Sequence, residues 1–278
     1  MKKIQFLSLA LAAFALTACS DDDNTPNPAE EINGQYEGYA VTSSQYFSGM
    51  VAPSQTVSIT ATAVPGVVAV KYTSDTWGEI EIPEATVVAT AGTYTITGSG
   101  TSRMGMGGNI KEYACELAGT VTSGVADLSF TCPGVMGGLT INFLQGDIPA
   151  DIVVPGSYNG YTAASCQYFP QDMLADNQTV TIASEANGTY KVDFTSDTWG
   201  EFTVSGVKAT TDDGGKTFAV SGEGTCKMGM NGNIKEYACT FAGTIDAAKE
   251  APEFTFTVPS VMGGLTIEFK TGDMPAAE

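Results

Sequence analysis

Met104-Gly105-Met106-Gly107-Gly108-Asn109-Ile110-Lys111-Glu112-Tyr113-Ala114-Cys115 returns as Met228-Gly229-Met230-Asn231-Gly232-Asn233-Ile234-Lys235-Glu236-Tyr237-Ala238-Cys239, with one change and an offset of 124. Other blocks repeat around it. Thr73-Ser74-Asp75-Thr76-Trp77-Gly78-Glu79 recurs as Thr195 to Glu201, and Gln45-Tyr46-Phe47 as Gln167-Tyr168-Phe169, both at an offset of 122. Val135-Met136-Gly137-Gly138-Leu139-Thr140-Ile141 recurs as Val261 to Ile267, at 126. A period this long exceeds a solenoid unit and matches a whole domain. The body of the chain is therefore one domain written twice, with a short linker near Asp151 to Pro155.

Each copy reads as β. No stretch keeps apolar residues at i, i+3, i+4 and i+7, whereas Val, Ile, Thr, Tyr and Phe alternate between Gly and Pro clusters. In the first copy the pattern predicts eight strands, near 35–43, 55–63, 66–73, 78–88, 92–101, 110–120, 125–132 and 138–145. Leu128, Phe130 and Cys132 share a face, as do Tyr113, Cys115 and Leu117. Short links and one buried face suggest an all-β architecture of two tandem eight-stranded up-and-down antiparallel β-barrels, since closure removes sticky edges. A β-sandwich is the alternative. An eight-stranded barrel is filled by its own side chains or holds one small ligand.

Gly34-Gln35-Tyr36 and Gly156-Ser157-Tyr158 open the copies, a long loop and a meander follow, and each ends in Gly-Leu-Thr-Ile. This pattern resembles a calycin, or lipocalin-like, barrel, and most of all the calycin-like domains of surface lipoproteins. The resemblance spans roughly residues 33–274 and implies a closed barrel per copy. It brings no common activity, and Tyr36 and Tyr158 stand where lipocalins open with Trp.

In such a barrel, loops one, three, five and seven share one rim. The repeated blocks fall in or beside those four loops, and both changes of offset fall in loops of the opposite rim. The rim that carries the repeated blocks is thus the expected binding mouth. In barrel 1 the candidates are Gln45, Tyr46, Phe47, Asp75, Trp77, Arg103, Met104, Met106 and Met136. In barrel 2 they are Gln167, Tyr168, Phe169, Asp197, Trp199, Lys227, Met228, Met230 and Met262. Aromatic platforms, pliable thioethers and a few polar anchors suit a small amphipathic or hydrophobic ligand, or a glycan face. The competing reading has the same residues plugging solid barrels that serve as structural or interaction modules of a surface assembly.

The N-terminus reads as an address. Met1-Lys2-Lys3 precedes an apolar run to Ala18, too short for a span and typical of a signal peptide. Leu16-Thr17-Ala18-Cys19 resembles a lipobox, which implies cleavage before Cys19, lipidation of its sulfur and a membrane anchor there. Ser20-Asp21-Asp22-Asp23 resembles the acidic export tag of surface lipoproteins in one group of Gram-negative bacteria. The expected layout is a signal peptide at 1–18, an acidic tether at 19–33, barrel 1 at 34–150 and barrel 2 at 155–278, lipid-anchored in the outer membrane and exposed at the cell surface.

Composition removes several function classes. The 278 residues carry 12 Lys+Arg, 31 Asp+Glu and no His, a net charge of −19. Without His there is no Ser-His or Cys-His pair and no His zinc site. The acidity disfavours nucleic acid. Loss of residues 1–18 removes Lys2 and Lys3 and leaves 10 bases against 31 acids, a net −21 with five of the acids in the tether. No catalytic residues, metal site or cofactor are expected; the partners foreseen are the membrane, a small ligand or glycan, and another surface protein. Gly215-Lys216-Thr217 resembles a phosphate-loop tail but lacks the earlier Gly and fits a hairpin turn. Cys115 with Cys132, and Cys226 with Cys239, are the disulfide candidates, each pair expected at opposed hairpin positions, with Cys166 left over.

Overall fold

A computed structural model describes residues 26–105, 109–230 and 233–275. The expected signal peptide, Cys19 and the acidic tag lie outside the described residues, as do Met106 and the side chain of Met230. Two closed antiparallel barrels follow one another, each meandering through eight strands. Barrel 1 runs α1 (Pro28–Glu31), β1 (Gly34–Ser43), β2 (Met50–Ala61), β3 (Val67–Ser74), β4 (Gly78–Thr90), β5 (Thr93–Met104), β6 (Lys111–Thr122), β7 (Val125–Cys132) and β8 (Leu139–Gln145). Barrel 2 runs α2 (Ala150–Val153), β9 (Gly156–Ser165), β10 (Met173–Ser184), β11 (Tyr190–Ser196), β12 (Gly200–Thr210), β13 (Thr217–Met230), β14 (Asn233–Asp246), β15 (Glu253–Val258) and β16 (Leu265–Thr271).

Alternation in the sequence becomes alternation in burial. In β7, Ala126, Leu128, Phe130 and Cys132 point inward; in β15, Phe254, Phe256 and Val258 do. β2 starts earlier than expected because Pro53 does not end it. The β1–β2 ladder slips across a bulge between Gly38 and Ala40, Ser54 takes a φ of 57°, and pairing resumes at Ala40 with Ala52. Barrel 2 repeats the device with Asn177 at φ 54°. Closure falls at the same bulge. Gly38 pairs with Gln145 and Gly160 with Thr271, where a Cβ would collide with the carbonyls of Leu144 and Lys270. Only glycine lets these strands meet.

The single-turn helices plug one end of each barrel. Ala29 and Ile32 are buried in barrel 1, Val153 and Val154 in barrel 2. The opening tyrosines fasten the plugs: Tyr36 donates its hydroxyl to the Ile32 carbonyl at 2.8 Å, and Tyr158 to that of Val154 at 2.8 Å. The expected tether therefore gives way to ordered barrel structure before residue 33, and the expected linker is the plug of barrel 2.

Both interiors are packed. Tyr72, Phe130 and Phe143 are fully buried in barrel 1. In barrel 2, Phe194, Phe202, Phe241, Phe254, Phe256 and Phe269 interlock, with adjacent ring centroids 5.1–5.6 Å apart. The barrels also touch. Tyr39 and Val51 of the barrel 1 wall join a cluster with Ile148 and the barrel 2 core, and Ile148 N–H donates to the Gly214 carbonyl.

Candidate functional site

The repeated Thr-Ser-Asp-Thr-Trp-Gly-Glu block builds a plug for the other end. Ser74 Oγ accepts the N–H groups of Thr76 (3.1 Å) and Trp77 (3.0 Å), which folds the chain back so that the indole turns inward. Ser196 does the same for Thr198 and Trp199, both at 3.2 Å. The glycine after each Trp has a left-handed φ, 76° at Gly78 and 89° at Gly200, and sits against the carbonyl of the next strand. Trp77 and Trp199 are only 9% and 5% exposed. Phe47 stacks on Trp77, centroids 5.8 Å apart and 18° between planes. Phe169 packs against the core of barrel 2.

The rim assigned from the sequence is thus brought together but divided in role. Trp77, Trp199 and Met104 are buried, Met228 is partly so, and Phe47 and Phe169 lean on the core. These are caps, which corrects the expectation that they are open platforms; packing takes the largest apolar groups first. Gln45 and Gln167 lie under the glycine pairs Gly137-Gly138 and Gly263-Gly264, where a Cβ on the first glycine would strike the amide. Asp75, Asp197 and Lys227 are exposed, and Arg103 is exposed with Glu112 at 3.9 Å.

What the rim leaves in solvent is a matched apolar set. Tyr46 and Tyr168 are 73% and 67% exposed, Met136 and Met262 44% and 43%, Ile110 and Ile234 59% and 66%. Met136 and Met262 also occupy left-handed backbone, at φ 46° and 51°. An unbranched apolar residue there costs of order 1 kcal/mol or more, in both copies. Ile110 and Ile234 were missed by sequence reasoning because they read as strand interior. Their place in the repeated block was the available signal.

The copies diverge in polar detail. Trp199 Nε1–H donates to Thr162 Oγ1 at 2.8 Å. Trp77 Nε1 is buried with no partner among the described residues, and so is Thr42 Oγ1. Gln55 Oε1 accepts from Tyr72 at 2.5 Å, whereas Gln178 Oε1 has no partner among the described residues, Phe194 standing in the place of Tyr72. Burial pushes the Tyr72 phenol up to about 12.

Cys115 and Cys132 are buried thiols with sulfurs 2.9 Å apart, and the β6–β7 register places them opposite each other. The hydrogen bond with Cys132, with burial added, holds the Cys115 thiol well above its ordinary value. In barrel 2 the register differs from expectation. Cys226 pairs with Tyr237, so Cys239 stands diagonally, two residues away. The hairpin closes from Met230 to Asn233, so its turn is centred one residue earlier than the opposed pairing requires. Burial pushes the Cys226 thiol up to about 12. Cys166 is half-buried against the core. Gly214 and Gly215, both at positive φ, make the Gly215-Lys216-Thr217 stretch a hairpin turn, as read.

Two cavities open on the outside of the walls, beside the bulges. One, about 530 Å³, is lined by Glu37, Gln55, Asp147, Ile148, Asp213 and Lys216 among others. Its counterpart, about 370 Å³, is lined by Asn159, Asp176, Asn177, Gln178 and Asp273 among others. No group of three or more Cys, Asp or Glu suited to a metal occurs among the described residues.

The model of the calycin-like β-barrel domain matches residues 32–143 and 154–271, one match per barrel. The chain belongs to the calycin-like β-barrel family. Among solved structures, this calycin-like chain is similar to a Bacteroides fragilis protein provisionally named as an outer membrane protein. They share 25% identity with a TM-score of 0.58, over 88% of this chain and 99% of that one. A Nostoc punctiforme protein of the DUF3598 family is 11% identical, with a TM-score of 0.26 over 89% and 99% of the two chains. Transferrin binding protein B of Neisseria meningitidis is 9% identical, with a TM-score of 0.28 over 81% and 53%. No curated protein sequence matches the calycin-like chain.

Proposed function

We propose that this is a non-catalytic, lipid-anchored protein of the outer membrane whose two barrels present their repeated rims as binding surfaces for a small amphipathic molecule or a glycan. The observation that carries this is the matched exposure of Tyr46/Tyr168, Ile110/Ile234 and Met136/Met262, the methionines held in costly backbone. Exposed apolar groups kept in both copies mark contact with something other than water. The address is supported by the lipobox-like Leu16-Thr17-Ala18-Cys19 and by the name of the Bacteroides fragilis relative. A lipid on Cys19 would tether the α1 end and leave the rim, at the far end of β1, facing away from the membrane.

Packed interiors favour a second reading, in which the rims dock a surface-protein partner and the barrels are rigid modules. One experiment separates the two. Wild type and a Tyr46→Ser, Tyr168→Ser, Ile110→Ser, Ile234→Ser variant are compared on a glycan array and an amphiphile panel. Binding by wild type that falls at least tenfold in the variant supports the first reading. Silence on both panels, with a stable complex that the variant loses in crosslinked cells, supports the second. Equal binding by the variant sinks both. We further propose that Cys115 and Cys132 form a disulfide in the oxidising compartment, their two thiols giving up two electrons and two protons to a dithiol oxidase.

A further inference from the structure

Eight of the ten methionines form four matched pairs, and all eight fall in or beside loops of the repeated rim. The pairs are Met50 with Met173, Met104 with Met228, Met106 with Met230 and Met136 with Met262; only Met1 and Met274 lie elsewhere. Three pairs sit inside repeated blocks, but Met50 and Met173 do not. Their neighbours differ, Gly49 against Asp172 and Val51 against Leu174. The methionine stays, and it starts β2 and β10 at the same register, opposite Thr42 and Ala164. Apolar residues elsewhere are exchanged between the copies: Ile80, Leu117 and Leu128 stand where barrel 2 has Phe202, Phe241 and Phe254. Hydrophobicity alone therefore does not account for methionine at the rims, since Leu supplies similar apolar area. What methionine adds is a thioether sulfur.

Those sulfurs divide by access. Met50 and Met173 are each 44% exposed, close to Met136 and Met262, whereas Met104 is 7% exposed and Met228 is partly buried. Among the described residues the thiols are better shielded: Cys115, Cys132, Cys226 and Cys239 are buried, and Cys166 is half-buried. A buried protonated thiol, or one already in a disulfide, reacts slowly with peroxide. Both indoles are buried as well. The sulfurs most open to a dissolved oxidant are thus those of the four rim methionines and of Met274, 37% exposed. Oxidation turns an apolar thioether into a polar sulfoxide. At Met104 that would intrude on the barrel cap; at the four exposed positions it changes the surface and leaves the core alone.

We propose that the two rims are an oxidant-sensitive surface: hydrogen peroxide outside the cell converts Met50, Met136, Met173 and Met262 to sulfoxides, and the polar rims release what they hold. In each event a sulfur lone pair attacks one peroxide oxygen, and the S–O bond forms as the O–O bond breaks. The departing hydroxide takes the transferred oxygen's proton and leaves as water. The sulfur loses two electrons and the peroxide gains them. A sulfoxide reductase supplied with a dithiol reverses the step, giving the thioether, water and a disulfide. The release half rests on the rim-binding reading; the modification half rests on exposure alone.

The lipid-free protein, in a Cys166→Ser background that removes the half-buried thiol, is treated with hydrogen peroxide. Samples go to peptide mapping, melting, a phenyl column, the glycan array and the amphiphile panel. Sulfoxide should appear at Met50, Met136, Met173 and Met262 roughly tenfold faster than at Met104 and Met228, with Met274 as the exposed control outside the rims. Over that phase the melting temperature should hold, column retention should shorten and binding should fall several-fold. Sulfoxide reductase with dithiothreitol should restore both. A Met50→Leu, Met136→Leu, Met173→Leu, Met262→Leu variant, compared only with itself before treatment, should keep its retention and its binding. Oxidation no faster at the four than at Met104, unchanged retention, melting that falls as the four oxidise, or a variant that loses binding as wild type does, overturns the proposal. If wild type keeps its binding with all four oxidised, the rim reading stands and this one falls. If nothing binds on either panel while retention shortens, the release half falls with the rim reading and the modification half stands.

Discussion

Trp77 and Trp199 sit in identical seven-residue blocks, yet among the described residues only Trp199 has a partner for its N–H. The difference comes from β1 and β9, far away in sequence. Thr162→Ala should leave Trp199 in the state of Trp77 and lower stability by about 1–3 kcal/mol in denaturant unfolding. A second residue-scale prediction concerns Tyr72, whose folded pKa of about 12 lies above the ordinary 10.0. A raised folded pKa means that its contribution is complete below pH 10 and is lost as pH rises toward 12. A shift of that size corresponds to roughly 2–3 kcal/mol. Melting temperatures should therefore fall more steeply between pH 10 and 12 in wild type than in Tyr72→Phe, the residue type barrel 2 carries at Phe194.

At the scale of elements, the seam and the rim loops invite opposite changes. Gly160→Ala places a methyl against the Lys270 carbonyl at the β9–β16 closure, and should cost more than the ~1 kcal/mol of an ordinary substitution. Met136→Gly removes the left-handed strain of the seventh loop and should raise stability by about 1 kcal/mol while weakening rim binding, measured by melting and by the array. The hairpins make a further distinction. Peptide mapping without reduction should recover Cys115 crosslinked to Cys132, which are opposed, and little Cys226–Cys239, which are diagonal. A dominant Cys226–Cys239 link would overturn the register argument.

On the scale of the whole molecule, each barrel has its own core, but Tyr39 and Val51 share a cluster with Ile148 and barrel 2. Ile148→Asp should loosen that joint and separate two unfolding transitions in a calorimetric scan. The duplication, the all-β class and the common rim were legible because alternation and repeat spacing are properties of the chain itself. The strand count followed from the same signal; the largest boundary error is at β2, where Pro53 is tolerated at a bulge, and β5 runs three residues beyond the expected end. The role of each rim residue was not legible. Whether Trp77 is a platform or a plug depends on Ser74 folding its loop inward and on Phe47 arriving from another loop. Whether a buried N–H is satisfied depends on which of two β1 positions carries the hydroxyl. The sequence by itself determined two closed barrels with one shared end, because period-two burial and edge closure are local and repetitive constraints. The tertiary structure alone decided which groups at that end are cap, which are surface and which are buried without a partner, because those outcomes are set by contacts between strands distant in the chain.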